Sequence, residues 1–180
     1  MTTTADDTLA KAGDALLALA EERPWREITL RGIAERAELD FPTLYALANG
    51  KAALLDQVSA RLDGAALATA ARASPDVHDR LFDAAMARIE AMEPHRAALI
   101  SILDGGLIAV LPHAPRTARA ILEAAGVDAT APRLAAMTAT WARIVQVWRA
   151  DEGALNRTMA EIDQRLKQMR ERLGRIGAGF

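Results

Sequence analysis

Thr29, Thr43, Tyr45 and Lys51 have the types and spacing to hold an anionic oxygen. A lysine at a helix start and hydroxyls along a short helix each offer a donor that a phosphate oxygen accepts. Arg31 adds a permanent cation beside them. Read without a ligand, Tyr45 packs between helices and Thr43 is a solvent hydroxyl. Other chemistry has little support. The chain has no cysteine, which excludes disulfides, thiol nucleophiles and thiolate metal sites. His78, His95 and His113 are scattered, with no pair four residues apart on a helix and no metal spacing. No nucleophile elbow, phosphate-binding lysine loop or dinucleotide fingerprint occurs, and Gly105-Gly106 and the glycine-rich tail match none of them. The carboxylates read as solvated charge. Neither an enzyme nor a cofactor is expected.

Two very short helices position the hydroxyls. Thr29 can cap the first, worth about 1 kcal/mol, and Leu30, Ile33, Ala34 and Ala37 then recur on one face at helical spacing. Asp40 can cap the second, and Pro42 suits its first turn, where the missing amide proton costs nothing. Helices this short are not stable alone. They must brace each other across the turn, the helix-turn-helix arrangement that offers its second helix to a DNA groove. After Asn49-Gly50, Lys51 opens a long helix.

At these residues the chain resembles the TetR family of bacterial transcriptional regulators. The matching pattern is Trp25, Ile28-Thr29-Leu30, Ile33-Ala34, Ala37, Thr43-Leu44-Tyr45, Lys51 and Leu54-Leu55, in ungapped spacing. It covers the first third of the chain closely and the remainder in general plan. The resemblance implies that the second short helix enters the major groove. It also implies that Thr43 and Tyr45 contact DNA there, often at phosphates, that Lys51 contacts a phosphate, and that Thr29 lies near the backbone. Three departures accompany it. Glu38 stands where the family usually has glycine, so the turn lacks the residue that most easily adopts positive φ. Ala46, Leu47 and Ala48 replace polar or aromatic residues and a phenylalanine. Before Asn49 the second helix holds no arginine, lysine, asparagine or glutamine, the side chains of most bidentate base readout. Specificity then falls to Thr43, Tyr45, the helix flanks or methyl contacts with thymine. A head that has lost DNA binding is the open alternative.

The whole chain reads as all-α. Over half its 180 residues are apolar, alanine is abundant and aromatics are scarce, which favours closely packed helices over sheet. Further helices are expected at about 6–22, 51–71, up to Met92, from Pro94, 115–125, from Thr130 and 154–174, with a frayed tail after Gly174. An apolar run from Leu107 to Leu111 ends at Pro112. We expect a helix-turn-helix head at 1–50 and a ligand-binding and dimerisation bundle at 51–180. No apolar run is long enough to cross a membrane, and the start lacks the pattern of a secretory signal, so a cytoplasmic location is expected. Residues 1–60 carry six basic and ten acidic side chains, a balance of −4. That opposes phosphate binding unless the cations cluster on one face.

Leu155, Met159, Ile162, Leu166, Met169, Leu173 and Ile176 alternate at spacings of four and three, a narrow coiled-coil-like seam. The TetR resemblance implies that the last two helices pair with their copies. Trp141, Trp148, Met159, Ile162, Leu166, Met169 and Leu173 are then the expected dimer interface, which would set two recognition helices about 34 Å apart. Intrachain packing is the plain alternative. The seam is flanked by a basic excess of three over residues 156–176, also the pattern of a helix lying on anionic lipid. Here the chain is similar to a second group, the TetR-fold lipid-binding accessory proteins of ubiquinone biosynthesis. The segments from Arg80 to Arg96 and from Trp148 to Leu166 carry that likeness. It implies bound isoprenoid lipid and a membrane-contacting last helix. Phe82, Met86, Met92, Leu99, Met137 and Trp141 could line an apolar ligand cavity, or be simple core. The leading expectation is a ligand-responsive homodimeric repressor on an operator duplex. The lipid-binding accessory protein is the alternative.

Overall fold

The structure is a computed structural model, and it describes residues 4–71, 74–105, 113–151 and 153–180. The described residues form α1 (Ala5–Glu22), α2 (Leu30–Arg36), α3 (Phe41–Leu47), α4 (Lys51–Ala68), α5 (Val77–Met92), α6 (Arg96–Asp104), α7 (Ala114–Ala124), α8 (Ala131–Ala150) and α9 (Asn156–Arg175). No strand occurs among them, and the all-α expectation holds. Helix ends fall within two residues of those expected, apart from α4. It closes at Ala68 in a 3₁₀ turn, Thr69–Ala71, and a second such turn, Glu93–His95, precedes α6. The expected run Leu107–Leu111 lies outside the described residues.

Local chemistry explains the boundaries. Thr4 and Asp7 cap α1 reciprocally, each side chain taking the other's amide proton. Arg23 ends α1 in an extended conformation, as a residue before proline must. Three helices close with one device: the amide two residues beyond the cap bonds back to the carbonyl five residues earlier. Leu39 reaches Ala34, Val127 reaches Leu122 and Ala178 reaches Leu173, each at 2.9 Å. The device needs a left-handed residue between. Gly126 (φ 70°) and Gly177 (φ 69°) supply it without strain, whereas α2 forces Glu38 to φ 53°.

Two compact units result. One comprises the described residues of Met1–Arg61 and His95–Leu111, the other those of Leu62–Pro94 and Pro112–Phe180. The division falls inside α4, eleven residues past the sequence-based boundary, and assigns α6 to the first unit. In that unit Leu16, Ile33, Leu44 and Leu54 are fully buried. Gly105, after α6, lies so close to Trp25 that an added Cβ would meet the Trp25 Cβ at 2.5 Å. In the second unit α7 packs on α8, and α9 packs on α8 and α5, around Leu81, Ile89, Ile121, Met137, Ile144 and Trp148.

The expected fraying of the tail is overturned. Arg133 on α8 donates through Nε to the Ala178 carbonyl (3.0 Å) and through Nη2 to that of Gly179 (2.7 Å). Its guanidinium lies 5.5 Å from the Phe180 ring. The start of α9 is secured similarly. Asp151 accepts both the amide and the hydroxyl protons of Thr158 at 2.8 Å, across the left-handed Leu155. These bonds, the amide bond foremost, hold the Asp151 carboxyl below its usual pKa.

Candidate nucleic-acid interface

The turn between α2 and α3 is built as expected. Thr29 Oγ1 accepts the Gly32 amide proton at 3.1 Å, and Asp40 Oδ2 accepts that of Thr43 at 3.0 Å. Ile33, Ala34 and Leu44 form the buried joint. The burial of Leu44 and Ala48 turns Pro42, Thr43, Tyr45, Ala46 and Leu47 outward. Tyr45 is 55% exposed and Leu47 39%, so an aromatic and a leucine both face solvent on a seven-residue helix.

The polar groups are arranged differently from the clamp expected. The Thr43 hydroxyl donates to Asp40 Oδ2 at 2.6 Å. A phosphate offers no donor, so Thr43 could hold one only by leaving Asp40. That bond and the Thr43 amide hold the Asp40 carboxyl below its usual pKa, keeping a negative charge at the start of α3. Lys51, expected at a phosphate, turns its ammonium inward. Nζ donates to the carbonyls of Trp25 (2.5 Å) and Ile28 (2.9 Å) and sits 4.5 Å from the Trp25 ring centre. Burial lowers its pKa. Lys51 thus ties the start of α4 to the end of the 3₁₀ turn Trp25–Glu27. Arg31 carries its guanidinium 4.8 Å over the Phe41 ring and has no ion pair among the described residues. The Tyr45 ring lies 6.2 Å from the same ring, tilted by 50°. Arg36 pairs with Glu22 at 2.7 Å and Arg61 with Asp14 at 2.8 Å. The sequence of this unit holds eight basic and eleven acidic side chains, a balance of −3. Of the five expected contacts, Tyr45 and Arg31 are outward, Thr29 caps α2, Thr43 is held by the Asp40 cap, and Lys51 is a lock.

A solved TetR transcriptional regulator from Rhodococcus sp. RHA1 superimposes with a TM-score of 0.67, covering 90% of this chain and 94% of that one. The chain has the TetR-regulator fold. Sequence identity to that structure is 17%, so the likeness is one of fold. No protein-family model matches the chain, and no curated protein matches it in sequence.

Within the single chain the residues of the expected dimer seam are largely buried. Trp141, Trp148, Ile162, Leu166, Met169 and Leu173 are all buried within the single chain, and only Met159 of that set is substantially exposed. The seam faces α5 and α8 because a narrow apolar stripe on α9 is covered by two neighbours at once. A groove of about 600 Å3 lies between α8 and α9. Pro132, Ala136, Ala139 and Ile176 line it, together with Met169 and Leu173 of the expected seam and the charged Arg165 and Arg172. Ile176 is 69% exposed.

The expected ligand cavity is also revised. Leu99 lies on α6 in the first unit, and the other five residues belong to the second. There Met86, Met92, Met137 and Trp141 are buried core, and Phe82 is half-buried. The sequence reading missed a buried polar cluster beside them. Asp63 Oδ1 accepts from Arg88 Nε at 2.8 Å and from the Thr117 hydroxyl at 2.7 Å. Arg116 approaches Oδ2 to 3.8 Å, and the Arg88 guanidinium lies 5.8 Å from the Trp141 ring centre. Burial drags the Arg88 pKa down while Asp63 opposes it. Asp63 Oδ2 and Arg88 Nη1 are buried without a hydrogen-bond partner among the described residues. The signal was present in the sequence: Arg88 falls on the inner stripe of Leu81, Ala84, Ala85 and Met92, where a charge has no place unless paired.

Proposed function

We propose that this protein is a DNA-binding transcriptional regulator that works as a homodimer and is released from its operator by a small ligand. The observation that carries the reading is the outward face of α3. Helix caps and a buried joint leave Tyr45, Ala46 and Leu47 facing solvent on a helix-turn-helix frame, where a duplex can reach them. Arg31, poised over Phe41, supplies the cation beside that face. The dimer would use the groove between α8 and α9, whose lining includes Ala136, Ala139 and the exposed Ile176. The ligand acts in the second unit, where the Asp63–Arg88 pair ties α4 to α5. A ligand that binds better to one arrangement of α4 shifts the population of DNA-competent dimers.

The test is fluorescence anisotropy with duplex DNA from the region upstream of the protein's own reading frame, at 50 and 200 mM salt. We expect affinity that falls with salt. Binding that is absent at 50 mM, or indifferent to salt, overturns the reading. Sedimentation velocity tests the dimer: Ile176→Asp should convert it to monomer.

One observation favours a second reading, a TetR-fold lipid-binding accessory protein. The first unit is acidic and its candidate phosphate lysine points inward. The membrane-contacting last helix of that reading is not supported by α9, whose apolar stripe is turned into the chain. Organic extraction of the purified protein, followed by mass spectrometry, would show stoichiometric isoprenoid lipid if this reading holds.

A further inference from the structure

We propose that α3 reads DNA through the C5-methyl groups of thymine rather than through hydrogen bonds to base edges. The inference rests on the DNA-binding reading above and names the chemistry of that site. In the major groove, guanine offers two acceptors, adenine an acceptor and a donor, and thymine a methyl group that only an apolar surface rewards. Guanine and adenine are read in pairs by Arg, Lys, Asn or Gln, and α3 holds none of these among its seven residues. Its outward positions are Pro42, Thr43, Tyr45, Ala46 and Leu47. The Thr43 hydroxyl is engaged by Asp40 at 2.6 Å, which leaves its methyl as the free part of that side chain. Asp40 Oδ2 accepts the Thr43 amide as well, so this carboxylate is held as the helix cap. Ala46 and Leu47 carry only carbon beyond the backbone, and Leu47 is 39% exposed. Tyr45 contributes a ring, with a phenol at its tip that suits a phosphate. The surface that α3 itself offers to base edges is therefore carbon, with the Arg31 guanidinium beside Phe41 and one fixed negative charge, Asp40, at the helix start. That charge adds a second preference, because a carboxylate repels the O6 and N7 acceptors of guanine.

Burying one methyl group against such a face is worth roughly fourfold in affinity. A dimer that places two or more thymine methyls on each copy of α3 would lose at least tenfold on their removal. The experiment uses the full chain at 50 mM salt and the duplex that it binds from its own upstream region. A matched duplex carries deoxyuridine in place of every thymidine, which deletes the methyl and keeps the base pairing. A third carries 7-deazaguanine for guanine, which deletes a base-edge acceptor. We expect the deoxyuridine duplex to bind at least tenfold more weakly and the 7-deazaguanine duplex to bind within twofold. In the Leu47→Ala protein, checked by circular dichroism for retained helix, the thymine and uracil duplexes should bind within threefold of each other. Equal binding of the thymine and uracil duplexes by the unaltered protein overturns the inference and leaves the regulator reading standing. A loss confined to the 7-deazaguanine duplex also overturns it. Failure to bind any of the three removes the regulator reading and this inference together.

Discussion

Replacing Lys51 with alanine separates two roles that the sequence cannot distinguish. Its ammonium donates to the carbonyls of Trp25 and Ile28 and sits 4.5 Å from the Trp25 ring centre. A hydrogen bond from a charged donor contributes about 1.5–3 kcal/mol when buried. Lys51 is only partly buried, and water can replace part of each bond, so we halve that value. Two bonds then amount to about 2 kcal/mol, with a smaller addition for the lost contact over Trp25. For a chain of this size, 1 kcal/mol corresponds to about 2–4 °C in Tm, so the expected drop is roughly 4–8 °C. Thermal unfolding followed by circular dichroism gives the number. Lys51→Met, which keeps a long unbranched side chain at this position, should lose somewhat less. A phosphate contact predicts the opposite pattern: an unchanged Tm and a salt dependence of DNA binding shallower by about one ion per head. An unchanged Tm with the shallower slope would refute the inward lock.

Glu38→Gly should stabilise the protein. It relieves about 1–2 kcal/mol of left-handed strain against about 0.5–1 kcal/mol of glycine entropy, a net gain near 1 kcal/mol in a urea titration. Arg88→Met should cost about 3 kcal/mol, because it leaves the buried Asp63 carboxylate with only the Thr117 hydroxyl and the more distant Arg116. The double variant with Asp63→Leu should recover most of that loss in the same assay. The carboxyls of Asp40, Asp151, Glu161 and Asp163 all lie below their ordinary values, 3.8 for Asp and 4.5 for Glu, held there mainly by hydrogen bonds and ion pairs. Groups lowered on folding add stability that is complete above those ordinary values and is lost as pH falls through the lower folded ones. Tm should therefore be flat from pH 7 to about 5 and fall steeply below about 4. Asp151→Asn should lower the neutral plateau and shrink the acid step.

How far the sequence could be read depends on the range of the interactions involved. The caps at Thr29 and Asp40 were legible because a cap and its amide partner lie three residues apart. The stripes of Leu30, Ile33 and Ala34 and of Ile162, Leu166, Met169 and Leu173 were legible because helical period alone places such residues on one face. What covers a face is not local information. The α9 stripe looked like a seam for a second copy, but α5 and α8 of the same chain cover it. Lys51 matched a phosphate position by its place in the motif. Its direction is set by two carbonyls 26 and 23 residues earlier. The tail read as frayed because glycine predicts freedom, and Arg133, 45 residues upstream, removes it.

The amino-acid order by itself determined where helices start and stop, which residues share a face, and that α3 carries no side chain able to fork onto a base edge. Those properties follow from propensity, period and side-chain inventory, all of which act within a few residues. Only the tertiary structure decided that the Lys51 charge points inward, that Asp63 and Arg88 meet in the interior, and that Tyr45 and Leu47 remain outside. Each of these depends on which distant surface arrives first to exclude water, and a linear pattern does not encode that.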